Sequence, residues 1–167
     1  MKVKEGRQHA CANLKVIRKV DNRGMTATSF NPHALLAKSQ IGVLATIKAD
    51  GRPQLSPVQP FYDEPASVIY VSTSAGAAKV ANLRRDARAT LEVTSPDGMS
   101  WATAEGIATL TGPGTAPHGP EVEALVNYYR VAAGEHPDWD EYRAAMVSGR
   151  RVLMTMTVDH VYGADIS

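Results

Sequence analysis

The apolar and polar positions along this chain repeat mostly with period two. Ile41, Val43, Ala45 and Ile47 alternate with Gly42, Leu44, Thr46 and Lys48, the pattern of a half-buried strand. Asp50-Gly51 follows and predicts a two-residue type I′ turn, in which both central residues need positive φ. The return strand, to Phe61, carries Leu55, Val58 and Phe61 among Gln54, Ser56 and Gln59. Pro53, Pro57 and Pro60 cannot donate to a ladder, so this strand is expected at a sheet edge or bulged. A third strand is predicted over Ser67 to Ser74, a fourth over Arg88 to Thr94, a fifth over Met99 to Thr111 and the last over Arg151 to Tyr162. Gly106 inside the fifth marks a bulge or barrel corner.

Helical spacing is scarcer. Asn31-Pro32 predicts a short helix with Asn31 as its N-cap and Leu35 and Leu36 turned inward. Ala77 to Arg85 reads as a helix with Val80 and Leu83 on one face. Val122, Leu125, Val126 and Tyr129 give the clearest helix, Pro120 to Ala133, with Glu121 and Glu123 at its positive end and Gly134 past its end. Asp138 and Glu141 resemble a capping box for a further short helix with Trp139, Tyr142 and Met146. Six strands and few helices, in mixed order, argue against alternating βαβ units. They predict a mainly β (α+β) chain: a six-stranded antiparallel barrel, closed or half-closed, with capping helices.

Composition narrows the classes. The 167 residues suit one domain, 44% hydrophobic and 21% charged. A net charge of +1 gives no reason to expect nucleic acid or an anionic membrane as partner. Cys11 is the only cysteine, which excludes an intrachain disulfide and fits a reducing cytoplasm. No apolar run approaches membrane-spanning length. Residues 1 to 24 hold seven Lys/Arg and two acids. They are expected to form a disordered arm preceding a domain over 25–167, as an upstream extension with Met25 as the working start. The alternative is a basic arm for an acidic partner.

Catalytic signatures are missing. The five histidines show no metal-ligand spacing, and there is no nucleophile elbow, dinucleotide fingerprint or phosphate-binding loop. Glu105 stands alone on a strand, the position of an ion-pair partner rather than a catalyst. A polar hairpin without an acid-base constellation points to chemistry carried by a bound cofactor.

Three segments, IGVLATIKADGRPQLSPV (41 to 58), AAKVANLRRDARATLEV (77 to 93) and DGMSWATAEGIATLTG (97 to 112), resemble the pyridoxamine 5′-phosphate oxidase-like split-barrel proteins. They resemble most the actinobacterial subgroup that uses coenzyme F420, a 5-deazaflavin. The segment from Tyr128 to Gly163 extends the likeness. The resemblance implies a homodimer of split β-barrels with cofactor sites at the interface and hydride transfer to an unsaturated or quinone-like small molecule; the near-neutral charge adds the expectation of no nucleic-acid or membrane partner.

The resemblance also names residues. Lys79 falls where relatives contact the cofactor phosphate, and a lysine at a helix start is a sound anion ligand. Ser72, Gln54 and Ser56 match cofactor-lining positions. Asn82 lies one turn beyond Lys79 on the same helix face. Trp101, with Met99, matches positions near the ring or tail, donated across the dimer; the alternative for Trp101 is the core of the dimer interface. Relatives commonly carry arginine two residues before the lysine. Here Ala77 stands there, so a bidentate phosphate clamp lacks one arm, and Arg52, Arg84 and Arg85 are the candidates to replace it. The rival readings are an FMN-binding flavoprotein of the same family and an F420 carrier without turnover.

Overall fold

Asn31 caps a helix as expected: its side chain accepts from the N–H groups of His33 and Ala34, and Pro32 occupies the first helical position. The computed structural model describes residues 30–167, so the expected arm over 1 to 24 lies outside the described residues. Four helices are present among them: α1 (Pro32–Lys38), α2 (Ala78–Arg85), α3 (Pro120–Ala133) and α4 (Trp139–Ser148). The strands are β1 (Gly42–Ile47), β2 (Pro53–Val58), β3 (Phe61–Asp63), β4 (Val68–Ser74), β5 (Arg88–Thr94), β6 (Ser100–Thr111) and β7 (Arg151–Asp165). All pair antiparallel in one sheet, in the order β2-β1-β5-β6-β7-β4-β3.

Six strands were expected and seven are found, because the return strand of the hairpin is two strands. Its first half, β2, pairs with β1. Pro60 has no N–H for a ladder, and after Gln59-Pro60 the chain leaves β1 and pairs with β4 as β3. β2 and β3 are the two edges of the sheet, yet only Gln59 and Pro60 separate them in sequence. Three peptide steps reach about 11 Å at most, so the sheet has to curl until its edges meet. The prolines of β2 sit at an edge, as their chemistry demands.

The hairpin turn also differs from expectation. Only Gly51 has positive φ (81°). Gly51 N–H donates to Lys48 O and Lys48 N–H to Arg52 O, a three-residue loop with glycine in the left-handed position. Asp50 accepts from Arg52 N–H instead of taking positive φ itself. At α4, Asp138 caps the N–H groups of Asp140 and Glu141, but its own N–H donates to His136 Nδ1. The expected capping box is therefore half formed.

The core lies inside the curl. Leu44, Ile69, Val71, Leu91, Val93, Met154 and Met156 are buried, with Leu36 of α1 closing one end. Each such side chain contributes about 1.5–3 kcal/mol on burial. β6 and β7 shift register between Glu105 and Gly106. A Cβ on Gly106 would collide with the carbonyl oxygen of Thr157, so the corner needs glycine. The other face of β1, with Val43, Ala45 and Ile47, is only half covered.

Candidate functional site

Along β4, Ile69, Val71 and Thr73 point into the core, which turns Tyr70, Ser72 and Ser74 outward. In β7, Val152, Met154 and Met156 are core, and Arg151, Leu153 and Thr155 face the other way. The ladder sets Ser74 opposite Arg151 and Ser72 opposite Leu153. A cavity of about 490 Å³ opens over this corner, between β4, the start of β7, the Pro57–Gln59 end of β2 and the start of α2.

Two cations line it, Lys79 and Arg151. Neither takes part in an ion pair among the described residues. Arg151 is oriented by hydroxyls: Nη2 and Nε donate to Ser72 Oγ (2.9 and 3.2 Å) and Nη1 to Ser74 Oγ (3.4 Å). Its loop is pinned by Ala75 N–H donating to Arg150 O. Opposite, α2 starts at Ala78 after Ala77, which offers no side-chain cap to the first N–H groups. An uncapped helix start and two unpaired cations favour an anion. Ile41, Pro57 and Val58 add an apolar wall.

The sequence-predicted residues divide into two groups. Lys79 and Ser72 line this cavity together. Gln54, Ser56 and Asn82 are tied to each other elsewhere. Asn82 Nδ2 donates to Thr46 Oγ1 (3.0 Å), Thr46 Oγ1 to Gln54 Oε1 (3.3 Å), and Gln54 Nε2 to Ser56 Oγ (2.6 Å). Thr46, Ser56 and Asn82 are buried, so within one chain this relay fastens α2 to the hairpin. Trp101 lies on β6 against Tyr162, edge to face at 5.9 Å, and Tyr162 donates to Glu105 Oε1. Within one chain, Trp101 does not line the cavity.

The arginine that lines the cavity together with Lys79 is Arg151, which sequence reasoning missed. The three arginines named for that role are elsewhere. Arg85 donates to Ile47 O and Asn82 Oδ1, while Arg52 and Arg84 do not line the cavity. The available signal was the pair Ser72 and Ser74, two hydroxyls on one strand face, but only the β4–β7 register brings Arg151 to them.

Among the described residues no cluster of His, Cys, Asp and Glu forms a metal site, and no helix is long and apolar enough to cross a membrane.

The fold agrees with comparison to known proteins. The family model of pyridoxamine 5′-phosphate oxidase matches residues 32–165, and the chain belongs to that family. The F420H(2)-dependent biliverdin reductase of Mycobacterium tuberculosis (strain CDC 1551 / Oshkosh) is 26% identical over 139 residues, 83% of this chain and 90% of that protein. A conserved hypothetical protein of Mycobacterium tuberculosis superposes with a TM-score of 0.60 at 24% identity, over 80% of this chain and 81% of that one. A structure named F420 reductase gives 0.56 at 18% identity, over 78% and 94%. At those identities the two structures speak for the fold alone, the mainly β split barrel.

Proposed function

We propose that this chain is an F420-dependent oxidoreductase, passing hydride from the reduced deazaflavin to a small unsaturated or quinone-like substrate in a reducing cytoplasm. The observation that carries this reading is the convergence of Lys79 and Arg151, two cations without ion-pair partners, on the uncapped start of α2. That donor set fits the cofactor's phosphate: a charged point on one side, a planar fork on the other, hydroxyls behind. The M. tuberculosis biliverdin reductase, whose name states F420H(2) dependence, supports F420 as the cofactor.

When bound, the cofactor supplies the hydride. The chain's own residues hold and orient. Lys79 and Arg151 grip the phosphate, Ser72 and Ser74 fix the guanidinium, and Ile41, Pro57 and Val58 give apolar surface that excludes water. No general acid is assigned. A homodimer belongs to the proposal, because Ile41, Leu55 and Ile107 are exposed and Val43, Ala45 and Ile47 only half covered. Trp101 and Gln54 would reach a cofactor only through such a pairing, while the buried Ser56 would act by holding Gln54.

FMN is the second reading, since a phosphate fork serves either cofactor and FMN is the alternative that the family resemblance implies. Titration of the purified full chain with F420, followed by its fluorescence, tests the choice. Saturable binding lost in Lys79→Ala supports the proposal. A yellow preparation retaining FMN favours the second reading, and F420 binding without turnover on any quinone or enone acceptor would make the chain a carrier.

A further inference from the structure

Helix α3 carries two stripes. Val122, Leu125 and Val126 are buried. Ala124, Asn127, Tyr128 and Val131, spaced i, i+3, i+4 and i+7, form a second stripe. It faces β4 and β7 across a cavity of about 360 Å³, with Tyr128 meeting Tyr70 of β4 at its wall. The sheet side of this cavity is Tyr70, Leu153 and Thr155, with Asp63 at one end.

This space adjoins the anion site. Ser72 of the first cavity and Leu153 of the second are ladder partners. Tyr70 lies two residues before Ser72 on the same strand face, about 7 Å along the strand. A third hollow, of about 420 Å³, shares Gln59 with the first cavity and Tyr128 with the second. The three are neighbours on one side of the sheet.

The lining specifies a ligand. Phe61, Tyr70 and Tyr128 pack with ring centroids 5.9–6.5 Å apart, which makes an aromatic wall. Tyr62, Tyr142 and Tyr162 commit their hydroxyls to protein partners. Those of Tyr70 and Tyr128 have none among the described residues. Burial pushes the Tyr128 hydroxyl up from its ordinary range, with the charge of Arg151 opposing, so it stays a neutral donor. The Asp63 carboxylate disfavours an anion at its end of the cavity. The cavity also opens at Val131, 63% exposed, so a ligand can enter without displacing a phosphate held at Arg151.

We propose that this cavity seats the hydride acceptor: a planar, uncharged, conjugated molecule of about two fused rings, whose carbonyl or ring-nitrogen atoms accept from Tyr128 and Tyr70. The acceptor role rests on the F420 reading; the ring-binding site does not.

Menadione, a methylated naphthoquinone with two carbonyl acceptors, is the probe. It is titrated calorimetrically into the full chain, with and without saturating F420. Saturable binding is expected, unaffected by F420. Tyr128→Phe should weaken it about three- to tenfold by removing one hydrogen bond. Ala124→Phe, which fills the cavity, should abolish it while F420 affinity and melting temperature hold. Absence of binding to the parent chain would overturn the proposal. So would equal binding by Tyr128→Phe, the conservative variant that reads out even if Ala124→Phe misfolds. Competition between menadione and F420 would assign the cavity to the cofactor's own ring and overturn the acceptor role. Failure of F420 to bind, with the menadione pattern intact, would sink the cofactor reading and leave the ring-binding site standing.

Discussion

The guanidinium of Arg151 donates to the hydroxyl of Ser72 at 2.9 Å, from the strand next door and 79 positions away in sequence. The contact fixes an unpaired cation in one orientation at the edge of a cavity. Much of the entropy of ordering a long side chain is thereby met before any anion arrives.

Arg151→Ala should therefore weaken F420 binding about tenfold to a hundredfold, the loss of a charge-assisted bond of about 1.5–3 kcal/mol. Arg151→Lys keeps the charge without the fork and should fall between. Ala77→Arg should add little to the parent chain, since Arg151 already fills the clamp, but should restore much of the affinity of Arg151→Ala. Fluorescence titration of the three variants checks this. Rescue of the parent and not of the variant would show that Arg151 lies outside the anion site.

Asn82 should matter for stability and not for phosphate affinity. Asn82→Ala removes the donor to Thr46 Oγ1 and the acceptor for Arg85, inside a buried relay. Breaking it should cost about 1–3 kcal/mol. Urea unfolding reads the loss, and an unchanged F420 titration reads the separation of roles.

Glycine substitutions should separate the barrel corner from the open loop. Gly106→Ala drives a methyl into the Thr157 carbonyl, an overpacking that typically costs about 1–3 kcal/mol. Gly76→Ala meets nothing within 4 Å and should stay within about 0.5 kcal/mol of the parent. Paired thermal melts test both.

Tyr142 should shape the alkaline limit. Its hydroxyl donates to Leu125 O, and burial, aided by Tyr128 and Tyr129 and opposed by Arg151, raises it from 10.0 to about 12. Between those values the unfolded chain releases a proton that the folded chain keeps. The contribution is thus complete below pH 10 and declines as pH rises toward 12. Unfolding midpoints across that window should fall less steeply in Tyr142→Phe than in the parent.

Sequence reading found every helix and most strands among the described residues because period and punctuation are local. Val122, Leu125 and Val126 announce α3 in five residues, and Asn31-Pro32 announces α1. It merged β2 with β3 because a proline-broken strand and a strand that changes neighbour look alike in one dimension. It reached Lys79 and Ser72 only through resemblance to a family. Arg151 was out of reach because its place depends on which residue of β4 it faces. The stripe of Ala124, Asn127, Tyr128 and Val131 was overlooked because it shares a helix with a stronger apolar stripe.

The two-residue link of Gln59 and Pro60 has a consequence for how this site can diversify. It fastens the two free edges of the curled sheet, and Gln59 borders both the anion cavity and the hollow beside Tyr128. A residue inserted there would let those edges part without disturbing any paired strand, since neither position belongs to a ladder. The spacing of the edges is thus adjustable at the same short link that draws them together. Acceptors of different size could be admitted by length changes there while Lys79 and Arg151 stay in place.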